Sequence, residues 1–218
     1  MKGQRPDLMA APEATRVETS DVARHIARVA ARLFAEKGYD ATSVREIVEA
    51  AGVAKPTVYY YFGSKEGLGQ AVLSVPLSEL GRTLQGIVAG VSDPIECLVQ
   101  VLEAQFAFCR EDPDRARFHL ALFFGPPGSE LAGQLEPCKA ELTGWAEEAV
   151  RRLADAGILA RDRVEACETA CRGLVLASIL DFLYRDRPLR PDLARQHVHD
   201  LLRGLGTGAV AFSKEPRL

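Results

Sequence analysis

Residues 42–68 read T-S-V-R-E-I-V-E-A-A-G-V-A-K-P-T-V-Y-Y-Y-F-G-S-K-E-G-L, and the spacing within this stretch decides the local fold. Thr42 or Ser43 can cap a helix, and Ser43 with Glu46 three residues later has the capping-box pattern. Val44, Ile47, Val48 and Ala51 follow at i, i+3, i+4 and i+7, so one face is apolar. Gly52 ends this helix, where a positive φ is cheap for glycine. Val53 supplies the apolar residue of the turn. A second helix starts near Ala54, with Pro56 in its first turn, where a missing N–H matters little. Val58 and Phe62 lie one turn apart and point inward; Gly63 stops the helix and Ser64 caps the next. Two short helices joined by a tight turn make a helix-turn-helix.

The outward face of the second helix carries the chemistry. Lys55 offers a point charge to phosphate, and the hydroxyls of Thr57, Tyr59 and Tyr60 can donate to phosphate oxygens or touch base edges. Helical spacing puts Tyr59 and Tyr60 opposite Val58 and Phe62, whereas Tyr61 belongs with Phe62 in the core. The helix N-terminus at Thr42 and Ser43 can hold a phosphate. The candidate DNA-binding set is Thr42, Ser43, Arg45, Lys55, Pro56, Thr57, Tyr59, Tyr60 and Lys65.

Residues from about 22 to 68 resemble the DNA-binding domain of the TetR-type (tetracycline-repressor-like) transcriptional regulators. The resemblance rests on Ala31 through Tyr39 (A-R-L-F-A-E-K-G-Y), Thr42 through Ile47, Ala51-Gly52-Val53, Tyr59 through Phe62, Lys65-Glu66 and Leu68. Two positions depart from the family pattern. Ala54 stands where a serine cap is usual, which weakens that helix start by about 1 kcal/mol. Tyr61 stands where a histidine is frequent. The resemblance implies a homodimer that binds a double-stranded DNA operator, more often as a repressor, with a small-molecule effector in the larger domain and no cofactor. Beyond residue 70 it is architectural.

Composition agrees without deciding. The 218 residues carry a net charge of −3, unlike a protein that holds DNA by bulk charge. Residues 20–67 carry +1 and residues 68–218 carry −4, so DNA contact would rest on placed cations and helix termini. No apolar run approaches the length of a membrane span, and no signal-peptide pattern opens the chain. Cys97, Cys109, Cys138, Cys167 and Cys171 show no metal-ligand spacing and suit a reduced, cytoplasmic protein with buried thiols. Cys167 and Cys171 share a helix face, where packing is the plainer role and oxidant sensing the sharper one.

The pattern predicts an all-α chain of about nine helices. Residues 1–19 read as a disordered tail, residues 20–67 as a three-helix DNA-binding domain, and residues 68–218 as an effector-binding and dimerisation domain. In the tail, Arg5 or Arg16 could reach a minor groove. Ser20 can cap the first helix, whose stripe is Val22, Ile26, Val29, Ala30, Leu33 and Phe34, ending at Gly38. A helix runs from Ser64 toward Leu84, with a kink or break at Pro76. Further helices follow at 93–111, 113–124 (stopped by Gly125-Pro126-Pro127), 129–155 (irregular around Pro137 and Gly144), 162–186 and 191–205.

Phe106, Phe118, Phe123, Phe124 and Trp145 concentrate aromatic surface around two polar points, Cys109 and His119. An apolar cavity with a few polar groups is what small-molecule sites look like, although solid core gives the same pattern. The candidate ligand set is Phe106, Cys109, Phe118, His119, Phe123 and Trp145. Small residues along 162–186 and the leucine stripe of 191–205 suit a four-helix dimer interface ending at Leu205. Asp181 is either solvated or a polar contact at that interface. The four histidines are scattered and form no catalytic constellation. The rival readings are a DNA-binding regulator under protein-partner or thiol control, and an all-helical enzyme or carrier.

Overall fold

A computed structural model describes residues 21–124 and 130–204. The tail, Ser20, Gly125-Pro126-Pro127 and Leu205 lie outside the described residues, and so do the expectations placed on them. Within the described residues every regular element is helical. The order is α1 (Asp21–Lys37), α2 (Val44–Ala51), α3 (Lys55–Phe62), α4 (Lys65–Gly69), a π-helical segment (Gln70–Ser74), α5 (Val75–Gly90), α6 (Pro94–Glu111), α7 (Pro113–Phe124), α8 (Glu130–Asp155), α9 (Val164–Tyr184) and α10 (Leu193–Arg203).

The helix starts and stops follow the expected chemistry. Ser43 caps α2 and forms the full capping box with Glu46. Gly52 ends α2 at φ 64°, a left-handed conformation that suits glycine. Ala54 opens α3 without a side-chain cap. The α1 stripe begins at Ala23 and not at Val22, which is 42% exposed. Ala23 sits i−3 from Ile26 and i−7 from Ala30, so it holds the inward register that Val22 misses by one residue.

Near Pro76 the α-helical pattern is interrupted by the π-helical segment Gln70–Ser74. The backbone stays helical from Lys65 to Gly90, and the Val75 N–H donates to Gln70 O across a widened turn. Proline at 76 has no N–H to give Val72 O, and its ring crowds that carbonyl. Widening the turn before it relieves the crowding. The result is a helical backbone continuous from α4 into α5. α8 likewise continues through Pro137.

One buried core joins both halves. Phe34 of α1, Tyr39 and Phe118 of α7 stack together, with Phe34 at 5.0 Å from both other rings. Arg152 of α8 ties down the end of α5, donating to Val88 O and Val91 O at 2.7 Å each. These are carbonyls that a helix C-terminus leaves without helical partners. α10 packs on α6, burying Ala194 and Val198. Asp181 is half-buried and pairs with Arg185 and Arg187. No helix of the described residues is long and apolar enough to cross a membrane.

Candidate nucleic-acid interface and internal cavity

α3 presents the face its spacing predicts. Val58 and Phe62 are buried, while Lys55 and Pro56 are exposed and Thr57 is half-buried. Tyr59 is 43% and Tyr60 75% exposed. The Lys55 ammonium lies 5.8 Å from the Tyr59 ring centroid, a cation–π contact that holds both side chains on the outer face. Tyr60 leans edge-on against Tyr61 at 5.0 Å, which limits its rotamers and presents its hydroxyl outward.

α2 packs against α3, and its first turn is capped. The Ser43 hydroxyl accepts from the Glu46 N–H, and Glu46 accepts from the Ser43 N–H at 2.8 Å. The next N–H groups, of Val44 and Arg45, belong to the first turn, where helices lack internal acceptors. Glu46 also takes a 2.7 Å hydrogen bond from Lys37. That bond, with the Ser43 contacts, lowers the Glu46 carboxyl to about 2. Arg45 is exposed and pairs with Glu49 at 2.7 Å, a surface contact weak enough to exchange for phosphate.

Two candidates are engaged within the protein. Thr42 is buried, and its hydroxyl donates to Gly38 O at 2.8 Å and Leu33 O at 3.3 Å. It satisfies carbonyls at the end of α1, so its side chain leaves the DNA-contact set. Lys65 donates to Asp40 O at 3.3 Å and sits 4.5 Å from the Tyr39 ring centroid. Its ammonium braces the corner between α1 and α2.

The C-terminal helices form a partly open cavity of about 300 Å3 bounded by α6, α7, α8 and α9. His119 and Phe123 line it, as does Phe124. Phe106, Cys109, Phe118 and Trp145 do not. Phe106 and Phe118 are fully buried packing residues, Cys109 is buried beside Arg115 and Arg110, and Trp145 turns toward Glu141. The wall is mostly aliphatic: Leu98 and Leu102 of α6, Leu142, Ala146 and Val150 of α8, and Val175, Leu176 and Ile179 of α9. Their helical spacing was visible in the sequence; which face met a cavity was not. Polar groups enter as Gln105, Lys139, Thr143, Glu147, Glu168 and Arg172. Burial, then the Lys139 charge, lowers His119 to about 4, so its imidazole is neutral near pH 7.

The five cysteines are free, and Cys138 alone of them is not buried. Cys171 lines the cavity and is hydrogen-bonded to the Cys167 thiol one turn away. This bond lowers the Cys167 thiol, while the same bond and burial raise Cys171. Among the described residues no cluster of His, Cys, Asp or Glu is placed to hold a metal.

Fold and face together define a helix-turn-helix protein with a larger, cavity-bearing helical domain. Residues 26–72 match the family described as bacterial regulatory proteins, tetR family. The repressor KstR2 of Mycolicibacterium smegmatis is 33% identical over 101 residues, which cover 46% of each chain. The solved TetR-family regulator PfmR of Thermus thermophilus is 27% identical, with a TM-score of 0.68 over 83% of this chain and 98% of that one. AibR, solved with isovaleryl coenzyme A and operator DNA, shares the fold at 20% identity and a TM-score of 0.62, over 82% and 97% of the two chains. The chain spans about half the length of the curated relatives it matches. The sequence match to the tetR family of bacterial regulatory proteins therefore covers the helix-turn-helix segment, and the fold of most of the chain is shared with the solved TetR-family regulator.

Proposed function

We propose that the protein is a homodimeric, cytoplasmic transcriptional regulator. In this reading it binds operator DNA through α3 and the start of α2, and a small, largely apolar molecule in the cavity releases it. The observation that carries this reading is the outer face of α3, where Lys55, Tyr59 and Tyr60 are displayed while Val58 and Phe62 anchor the helix. Ser43, Arg45, Pro56 and Thr57 complete the contact set, with Lys65 as a corner brace. Repression is the sign suggested by KstR2, and AibR gives a precedent for one fold taking both operator and an acyl thioester.

The coupling has a physical route. α7 borders the cavity with His119 and Phe123, and packs Phe118 against Phe34 and Tyr39 on its other side. A ligand that displaces α7 therefore loads the helix that braces α2 and α3. It can lower operator affinity only if it binds the DNA-free arrangement more tightly, by about 1–3 kcal/mol in typical cases.

The dimer reading rests on α9. Ala166, Gly173, Ala177, Leu180 and Tyr184 are exposed and recur at helical spacing, and Ala170 is half-buried among them. Small residues let a second copy of the helix approach closely. In α10, Ala194 and Val198 are buried within the chain, which leaves the half-buried Leu201 and Leu202 for a partner.

An open cavity favours an effector over control by a protein partner, which would need none. Genomic footprinting with the purified protein tests the reading. The expected result is discrete protected sites with two half-sites each; uniform, sequence-independent protection would contradict it.

A further inference from the structure

We propose that the cavity recognises an amphipathic carboxylate, its head seated between His119 of α7 and Lys139 of α8 and its chain lying along the aliphatic walls of α6 and α9. The inference rests on the effector reading above and adds the chemistry of the ligand.

Three observations converge on one spot. The His119 ring lines the cavity, yet its Nε2 is buried with no hydrogen-bond partner among the described residues. A buried polar atom left unpaired is costly, and a ligand atom is one way to satisfy it. Lys139 lines the same cavity with a side chain only 15% exposed. Its ammonium sits 5.1 Å from the Phe123 ring centroid, and that ring lies 6.4 Å from the imidazole. The ion-pair partner of Lys139, Glu136, is largely in solvent at 2.8 Å, so the contact is easily exchanged.

The charges around the cavity select the sign. Glu147 of α8 and Glu168 and Arg172 of α9 also border it. Burial and the Lys139 charge both favour a neutral His119 imidazole, so Lys139 is the cation nearest in effect to that ring. The spot therefore combines an unpartnered imidazole nitrogen with a cation whose ion pair is solvent-exposed. A carboxylate can accept from the imidazole and pair with the ammonium together. An ammonium head would be repelled, and a hydroxyl would leave the Lys139 field unanswered.

Proton uptake is the signature. A bound carboxylate raises the pKa of the imidazole beside it. The complex then holds a proton that the free protein does not, so affinity rises as pH falls from about 8 toward the titration of the acid itself near 4–5. A chain of about ten carbons suits the cavity, at roughly 30 Å3 for each water-sized group.

The test is calorimetric titration of the full chain with decanoate, decanol and decanoyl-coenzyme A, between about pH 6 and 8, in buffers of different ionisation heat. Decanoate should bind tightest, take up a fraction of a proton, and gain severalfold in affinity per pH unit lowered, up to a limit of about tenfold. His119→Gln should weaken decanoate at the acid end of the range and flatten the pH dependence. Lys139→Gln should weaken decanoate and leave decanol unchanged. Decanol matching decanoate would overturn the proposal, as would tighter thioester binding without proton uptake or a pH dependence that survives His119→Gln. If decanol or the thioester releases the protein from its operator and decanoate does not, the effector reading stands and the carboxylate subsite falls. If none of the three binds, the carboxylate subsite falls.

Discussion

Replacing Phe118 with leucine tests the joint between the cavity wall and the reading domain. Phe118 is fully buried, and its ring lies 5.0 Å from Phe34 and 6.3 Å from Tyr39. Leucine retains most of the buried apolar area but removes both aromatic contacts, each contributing about 0.5–1.5 kcal/mol beyond area burial. The expected loss is therefore about 1–3 kcal/mol. At roughly 2–4 °C per kcal/mol for a chain of this size, the melting temperature should fall by about 2–12 °C. A double-mutant cycle with Phe34→Leu should show a coupling of about 0.5–1.5 kcal/mol, because the two rings touch directly. Phe118 does not border the cavity, so ligand affinity measured without DNA should be unchanged while ligand-driven DNA release is blunted. Strictly additive losses, or full release by the variant, would refute α7 as the connecting element.

Other substitutions address separate parts of the account. Lys55→Ala and Tyr60→Ala should each weaken operator binding with melting temperature unchanged, and Lys55→Ala should reduce the salt slope by about one if it meets phosphate; fluorescence anisotropy at several salt concentrations reads both. Ser43→Ala removes the α2 cap and should cost about 1 kcal/mol in a denaturant titration. The folded Glu46 carboxyl sits at about 2, below its ordinary range. Its contribution is thus present above about pH 4.5 and is lost as pH falls toward 2. Melting curves should show less acid sensitivity across that window for Glu46→Gln than for the parent, and identical profiles would contradict the pairing. Ala177→Glu puts a charge on the exposed α9 face and should yield monomers by sedimentation velocity without lowering helicity.

The two halves of the molecule differ in how legible they are. The DNA-reading segment follows local rules: Ser43 and Glu46 make the capping box, Gly52 takes the left-handed turn, and Val58 and Phe62 set the inward register. Each acts within a few residues, so spacing alone reveals it. Thr42 misled because its partners, Leu33 and Gly38, belong to the preceding helix. The cavity depends on which helix faces meet, and that is a tertiary fact. Aromatic residues drew attention, yet Phe106 and Phe118 fill space, and the walls come from Leu98, Leu102, Val175 and Ile179. Lys139 and Arg172 carry no pattern that marks them in the sequence, and the packing of α8 and α9 brings them to the cavity. At Pro76 the lost hydrogen bond was predictable. Its accommodation by a widened turn depends on the helix being held at both ends, by Leu68 and Leu73 in the core and by Leu77 and Leu84 beyond.

The central claim is that α3 and the start of α2 read DNA as one of a symmetric pair. Its most direct test is a footprint of the purified protein on a site recovered from genomic footprinting. The account predicts two protected half-sites whose centres lie about 34–36 Å apart, or a multiple of that, and their loss in Lys55→Ala, Tyr60→Ala double-variant protein. A single protected half-site, or protection unchanged in the double variant, would contradict it.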